Sequence, residues 1–134
     1  MDDTKSYFLN QKIIGDLTPF CQPTIDVKIK GIDEVFKALI DTGAYKFHIT
    51  PSFAKHISAI PTGFQRGIYP VSGISETNLY QLSFNLKGVD YEFNEEFVEL
   101  PSPFQYPIIL GSKFIKQCKE LHIYSNELFY ELFL

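Results

Sequence analysis

The chain has 134 residues, 45% hydrophobic, 16% aromatic and 21% charged, enough for one globular domain with one core and too apolar for a disordered or low-complexity chain. Sixteen acidic against twelve basic residues give a net charge of −4 with the basic residues scattered, which argues against a phosphate-backbone partner and so against nucleic acid. No run of 18 apolar residues exists and the start, Met1-Asp2-Asp3-Thr4-Lys5, is unlike a secretory signal, so the expectation is a soluble cytoplasmic protein with no membrane partner.

Residues 1–20 read as a loosely attached arm and residues 21–134 as the domain. From Thr24 the pattern alternates, Ile25, Val27 and Ile29 against Asp26, Lys28 and Lys30, and ends in the turn-like Gly31-Ile32-Asp33-Glu34; this predicts a strand with residues 35–40 as its hairpin partner. Thr50-Pro51 sets a capping hydroxyl before a proline, predicting a helix over residues 52–57 that Pro61 prevents from continuing. Tyr80, Leu82, Phe84 and Leu86 alternate with mostly polar neighbours up to Lys87-Gly88-Val89-Asp90, so a strand begins near Asn78 and returns over residues 91–100. A second short helix is expected over residues 112–118, opened by a serine cap, with apolar segments at 106–110 and 121–124 on either side. The chain closes on Leu128-Phe129-Tyr130-Glu131-Leu132-Phe133-Leu134, too apolar to stand uncovered. The sum is an all-β domain of short strands with one or two short helices, a small closed or folded-over sheet.

Ala38-Leu39-Ile40-Asp41-Thr42-Gly43-Ala44 is the strongest chemical signal: an apolar strand running straight into Asp-Thr-Gly-Ala. By itself the triplet is equally an ordinary turn, since Asp and Gly both form turns. Here, however, Phe47, Ile49 and a capped helix follow, so the carboxylate sits between apolar segments, where it needs hydrogen bonds or a function.

Over residues 24–134 the chain resembles the retropepsin-like aspartic proteases. The matching features come in order: the strand over residues 24–30, Leu39-Ile40-Asp41-Thr42-Gly43-Ala44, the short helix, a glycine-containing flap hairpin at Tyr69-Pro70-Val71-Ser72-Gly73-Ile74-Ser75, and Ile108-Ile109-Leu110-Gly111 before a helix. The resemblance implies a closed-barrel acid-protease fold with one lobe per chain. It implies that Asp41 is the catalytic carboxylate, that Thr42, Gly43 and Ala44 support the active-site loop, and that Gly43, Tyr45, His48, Gly73 and Ile74 meet a polypeptide substrate. Where many retroviral members carry Asp after the alanine, this chain has Tyr45, and His48 stands where small apolar residues often line a specificity pocket. These departures look closer to cellular or bacterial members than to viral ones.

Peptide hydrolysis without a covalent intermediate needs one carboxylate to take a proton from water and another, protonated, to donate to the carbonyl oxygen. The chain carries one Asp-Thr-Gly and is too short for a second lobe, so the second aspartate is expected from a second copy across a two-fold axis. The reading is a homodimeric aspartic endopeptidase, with the C-terminal strand as a candidate subunit contact. The alternative is a retropepsin-like peptide-binding or dimerisation module with little turnover, and a weaker one is an enzyme dedicated to a single partner.

No cofactor or metal is called for. His48, His56 and His122 lack metal-ligand spacing, and Cys21 and Cys118 are the only cysteines, so a zinc cluster is excluded and two free thiols are expected. Gly63-Phe64-Gln65-Arg66-Gly67 lacks the ending of a phosphate loop, and no Gly-x-Ser-x-Gly elbow is present. Glu92, Glu95, Glu96 and Glu99 read as a solvated face.

Overall fold

In the computed structural model, residues 11–69 and 73–134 are described. Ten strands and two short helices follow in the order β1 Lys12–Asp16, β2 Thr24–Ile29, β3 Val35–Ile40, β4 Phe47–Ile49, α1 Pro51–His56, β5 Gly63–Tyr69, β6 Gly73–Leu86, β7 Phe93–Glu99, β8 Ile108–Leu110, α2 Ser112–Ile115, β9 Glu120–Tyr124 and β10 Phe129–Phe133. Among the described residues no helix is long and apolar enough to cross a membrane.

Seven strands form one sheet in the order β2-β3-β8-β4-β7-β6-β5, and a further pairing of β2 with β6 closes six of them into a barrel. The 14-residue β6 makes this possible. Its C-terminal end, Phe84 to Leu86, pairs with β2, its middle, Leu79 to Phe84, pairs with β7, and its N-terminal half projects as a hairpin with β5. Closure leaves the barrel strands without free edges, the usual hazard of short β-strands.

The alternation read in β2 is realised, with Ile25, Val27 and Ile29 all buried. They join Ala38, Ile40, Phe47, Ile49, Phe97, Ile108 and Leu110 in one apolar cluster. Its centre is aromatic: Phe47 and Phe84 lie 5.2 and 5.7 Å from Phe97, and Phe93 bridges Phe84 at 5.1 Å to Phe114 at 5.7 Å. Each such buried ring contributes roughly 1.5–3 kcal/mol relative to exposure.

In α1 the hydroxyl of Thr50 accepts from the Phe53 N–H at 3.2 Å, with Pro51 in the first turn, as the Thr-Pro pair implies. The helix buries Phe53 edge-on against Phe36 at 4.6 Å. In α2 the expected serine cap is not formed. Gly111 occupies the cap and makes no side-chain bond, Ser112 is already inside, and the helix stops at Ile115.

Three elements were not anticipated: β1, β4 and β5. Residues 12–16, expected within a loose arm, form an outer strand of a second sheet, β1-β10-β9; residues 1–10 lie outside the described part. The apolar C-terminal strand is covered from within the chain. Tyr130, Leu132 and Leu134 are fully buried, and both edges of β10 are paired. Gly15 lies opposite Tyr130, and a Cβ there would fall 2.4 Å from the ring. The glycine thus admits the ring, whose hydroxyl donates to the Thr24 carbonyl at 2.6 Å and ties this sheet to the barrel.

Candidate functional site

Asp41 follows the last residue of β3, and its N–H donates to the Leu110 carbonyl at 3.0 Å, extending the parallel β3–β8 ladder by one step. One carboxylate oxygen accepts from the Gly43 N–H at 2.8 Å, and the Asp41 carbonyl accepts from Ala44 at 3.2 Å. The carboxylate is half-buried, whereas Thr42 and Gly43 are exposed. A carboxylate between apolar segments needs hydrogen bonds, and the tight turn back from Gly43 supplies one.

The loop after the aspartate is clamped by main chain. Ser112 N–H donates to Ala44 O at 2.7 Å and Lys113 N–H to Tyr45 O at 2.9 Å. A Cβ on Gly111 would stand 2.3 Å from Lys46 O and 2.7 Å from Ala44 O, so this close approach requires glycine. The sequence separates Gly111 from Asp41 by 70 positions; the β3–β8 pairing brings them together.

Strand register defines the surface around the carboxylate. Leu39 pairs with Ile109, Ile109 with His48, His48 with Val98 and Val98 with Leu79, so these side chains share one sheet face, opposite the Ile40, Phe47 and Leu110 face. Asp41, two residues after Leu39, has the parity of that face. Leu39, Val98 and Ile109 are 1%, 0% and 6% exposed yet lie outside the main apolar cluster. They form a second, small apolar floor, and His48 is the polar group in it.

The His48 Nδ1 lies 3.2 Å from the Val98 carbonyl. Since a carbonyl only accepts, Nδ1 carries the proton. Burial holds the imidazole pKa below its usual value, partly offset by that hydrogen bond; the Lys46 charge pushes it further down and the Asp41 charge pulls it up.

The hairpin continues the same face. Gln65 pairs with Thr77 and Gly67 with Ser75, in the parity of Leu79, while Phe64, Arg66, Ile68, Ile74 and Glu76 occupy the reverse. Lys46 Nζ donates to Gln65 Oε1 at 3.1 Å, linking the loop after Asp41 to the hairpin. Gly73 begins β6 with φ +73°, a backbone that favours glycine. Ile74 is 68% exposed and paired with Ile68 on the reverse face. Residues 70–72 of the expected flap lie outside the described residues. Of the residues singled out from sequence, Asp41 and His48 therefore share one sheet face, with Gly43 hydrogen-bonded to the Asp41 carboxylate, whereas Ile74 is turned away. Tyr45 is exposed and lies toward α2, its ring centroid 5.3 Å from Lys116 Nζ.

Sequence reasoning missed the Lys46–Gln65 link and the Leu39, Val98 and Ile109 floor. The floor was discoverable only in part, from the two-residue step between Leu39 and Asp41. Elsewhere, His56 pairs with Glu34 at 3.1 Å and His122 with Glu120 at 2.9 Å. Among the described residues no three His, Cys, Asp or Glu side chains are placed to hold a metal ion. Cys21 and Cys118 are free, and burial pushes the Cys118 thiol up to about 12. In the acidic stretch Glu92 and Glu96 are exposed, as a solvated face implies, whereas Glu99 accepts from Asn78 and Tyr80, and Glu95 from Gln117. A concavity of about 560 Å³ between the β2–β3 and β6–β7 turns, lined by Lys28, Lys30, Asp33, Lys87 and Asp90 among others, lies at the end of β3 away from Asp41.

No protein-family model and no curated protein matches the chain. Solved structures do. The fold is similar to that of a retropepsin-like aspartic protease from Rickettsia conorii, with TM-score 0.67 and 17% identity over 91% of this chain and 89% of that one. The simian foamy virus (mac) protease aligns with TM-score 0.51 and 25% identity over 69% of this chain and 91% of its own. The EIAV protease, solved with an inhibitor, aligns with TM-score 0.53 and 24% identity over 71% and 86%.

Proposed function

We propose that this chain, whose fold is that of the retropepsin-like aspartic proteases, is an aspartic endopeptidase that works as a homodimer with Asp41 from each copy. One observation carries this reading: a half-buried carboxylate at a strand end, held by the Gly43 N–H at 2.8 Å, on a loop clamped under Gly111. A turn aspartate with no chemistry to perform needs no such clamp.

One copy supplies one carboxylate, and the exposed Thr42-Gly43 segment is the surface through which a second copy would bring the other. Two carboxylates held about 3 Å apart share a single proton, and their titration steps belong to the pair. The ionised member takes a proton from water as the water oxygen bonds to the peptide carbonyl carbon, and the protonated member gives its proton to the carbonyl oxygen. Return of a proton to the amide nitrogen then breaks the C–N bond. Thr42 would brace the loop against its counterpart, Gly43 and Gly73 would let substrate backbone approach, and no cofactor enters. Two free thiols fit a reducing compartment such as the cytoplasm.

The test is cleavage of a diverse peptide mixture between about pH 4 and 7, followed by mass spectrometry, with wild type beside Asp41→Asn. Cleavage by wild type alone is expected. Equal cleavage by both overturns the role of Asp41. Binding without cleavage by either favours the peptide-binding module.

A further inference from the structure

The floor beside Asp41 is apolar except at one point. Leu39, Val98 and Ile109 are themselves almost fully buried, and the strand register places the half-buried His48 beside them, on the same face as Asp41. Its Nδ1–H is committed to the Val98 carbonyl, which leaves Nε2 as an acceptor in the neutral ring. Among the described residues His48 makes no other hydrogen bond, and no fully buried side-chain nitrogen or oxygen lacks a partner. Nε2 is therefore not fully buried, and its accepting lone pair is uncommitted among the described residues.

We propose that His48 makes the subsite beside Asp41 selective for a substrate side chain that donates a hydrogen bond, an amide or a hydroxyl, over an aliphatic side chain of the same shape. This rests on the protease reading above and goes beyond it by naming the chemistry of one substrate residue. An aliphatic group seated over Nε2 would strip its water and return nothing, whereas an amide N–H would replace that water; such an unmade bond in a desolvated site costs about 10- to 100-fold in discrimination. The neighbouring charges favour a neutral donor over a carboxylate. Asp41 repels an acid, and Lys46, the nearby cation, already donates to Gln65. Burial and Lys46 both keep the ring in its neutral, accepting form.

The test uses peptides matched except for Asn or Leu at one position at a time, with wild type, His48→Val, His48→Gln and Asp41→Asn, reading relative kcat/KM by mass spectrometry. The expectation is an Asn preference of about 10- to 100-fold at one position, lost in His48→Val and partly kept in His48→Gln, whose amide oxygen still accepts. An unchanged preference in His48→Val, or a Leu preference of wild type at every position, overturns the proposal. The Asp41→Asn lane reports separately on the protease reading. If nothing cleaves, that reading fails, and the same peptides are titrated into wild type while the His48 Nε2 resonance is followed by nitrogen-15 NMR. Tighter binding of the Asn peptides with a shift of Nε2 supports the proposal. Equal affinity for the two, or no binding, overturns it, and neither result depends on a variant folding.

Discussion

The loop that carries Asp41 and the hairpin that flanks it, β5–β6, are joined by the Lys46–Gln65 hydrogen bond, yet they are built on opposite principles. The loop is fixed by main chain: Asp41 on Leu110, Ser112 on Ala44, Lys113 on Tyr45, with Gly111 closing the gap. In the hairpin, Phe64, Ile68 and Ile74 are 69%, 82% and 68% exposed, so its outer half buries little apolar area. Low local burial means low local opening free energy. On the proposed protease reading, the carboxylate must keep its geometry to within a fraction of an ångström, whereas the hairpin, as a cover over a bound chain, must open for substrate to arrive. The difference in construction matches that division of labour.

The rigidity of the Asp41 loop is most exposed to change at Gly111. Gly111→Ala sets a methyl against two backbone carbonyls that have no flexible end to yield, and a loss of about 3 kcal/mol is expected, read as a lower urea midpoint. Unchanged stability would mean the loop is not clamped.

In Gly15→Ala the added methyl meets the Tyr130 ring rather than backbone. A smaller cost of about 2 kcal/mol is expected. Most of it should be relieved when Tyr130→Leu is added, since residues in contact couple. Tyr130→Phe alone removes the bond to the Thr24 carbonyl and should cost about 1 kcal/mol.

The pH dependence separates the fixed site from the hairpin. His48 has a folded pKa below 6.5, so between the two values the unfolded chain binds a proton that the folded chain does not. Its contribution is complete above the unfolded value and is lost as the pH falls from about 6.5 towards the folded value. Urea midpoints measured through that range should decline less steeply in His48→Val. The smallest effect belongs to Gln65→Ala, which cuts an exposed tie: global stability should stay within about 0.5 kcal/mol, while β5 amides exchange faster. Equal exchange would show that the tie does not hold the hairpin.

Sequence alone showed β2 and β3, the returning pair at β6 and β7, both helices to within a few residues, and Asp41 as the residue to examine. These are local signals: period-two alternation, a Thr-Pro cap, and an apolar run ending in Asp-Thr-Gly. Short β4 has too few residues for a period. β5, with two glycines and an arginine in Gly63-Phe64-Gln65-Arg66-Gly67, presents exposed Phe64 and Ile68 and so resembles no half-buried strand. The strand over residues 12–16 was not legible because β1 depends on β10, 115 positions away in the pair Gly15 and Tyr130, a partner that no local pattern announces.

What the sequence determined is therefore the set of elements whose stability is local and the identity of the one carboxylate set into an apolar context. Tertiary structure decided the rest. Barrel closure through β6, the clamp of Gly111 over the Asp41 loop, and the meeting of Leu39, His48, Val98 and Ile109 on one face all depend on pairings between distant strands. Backbone hydrogen bonds between strands carry no residue code of their own, so only the folded register fixes which side chains share a face with the carboxylate.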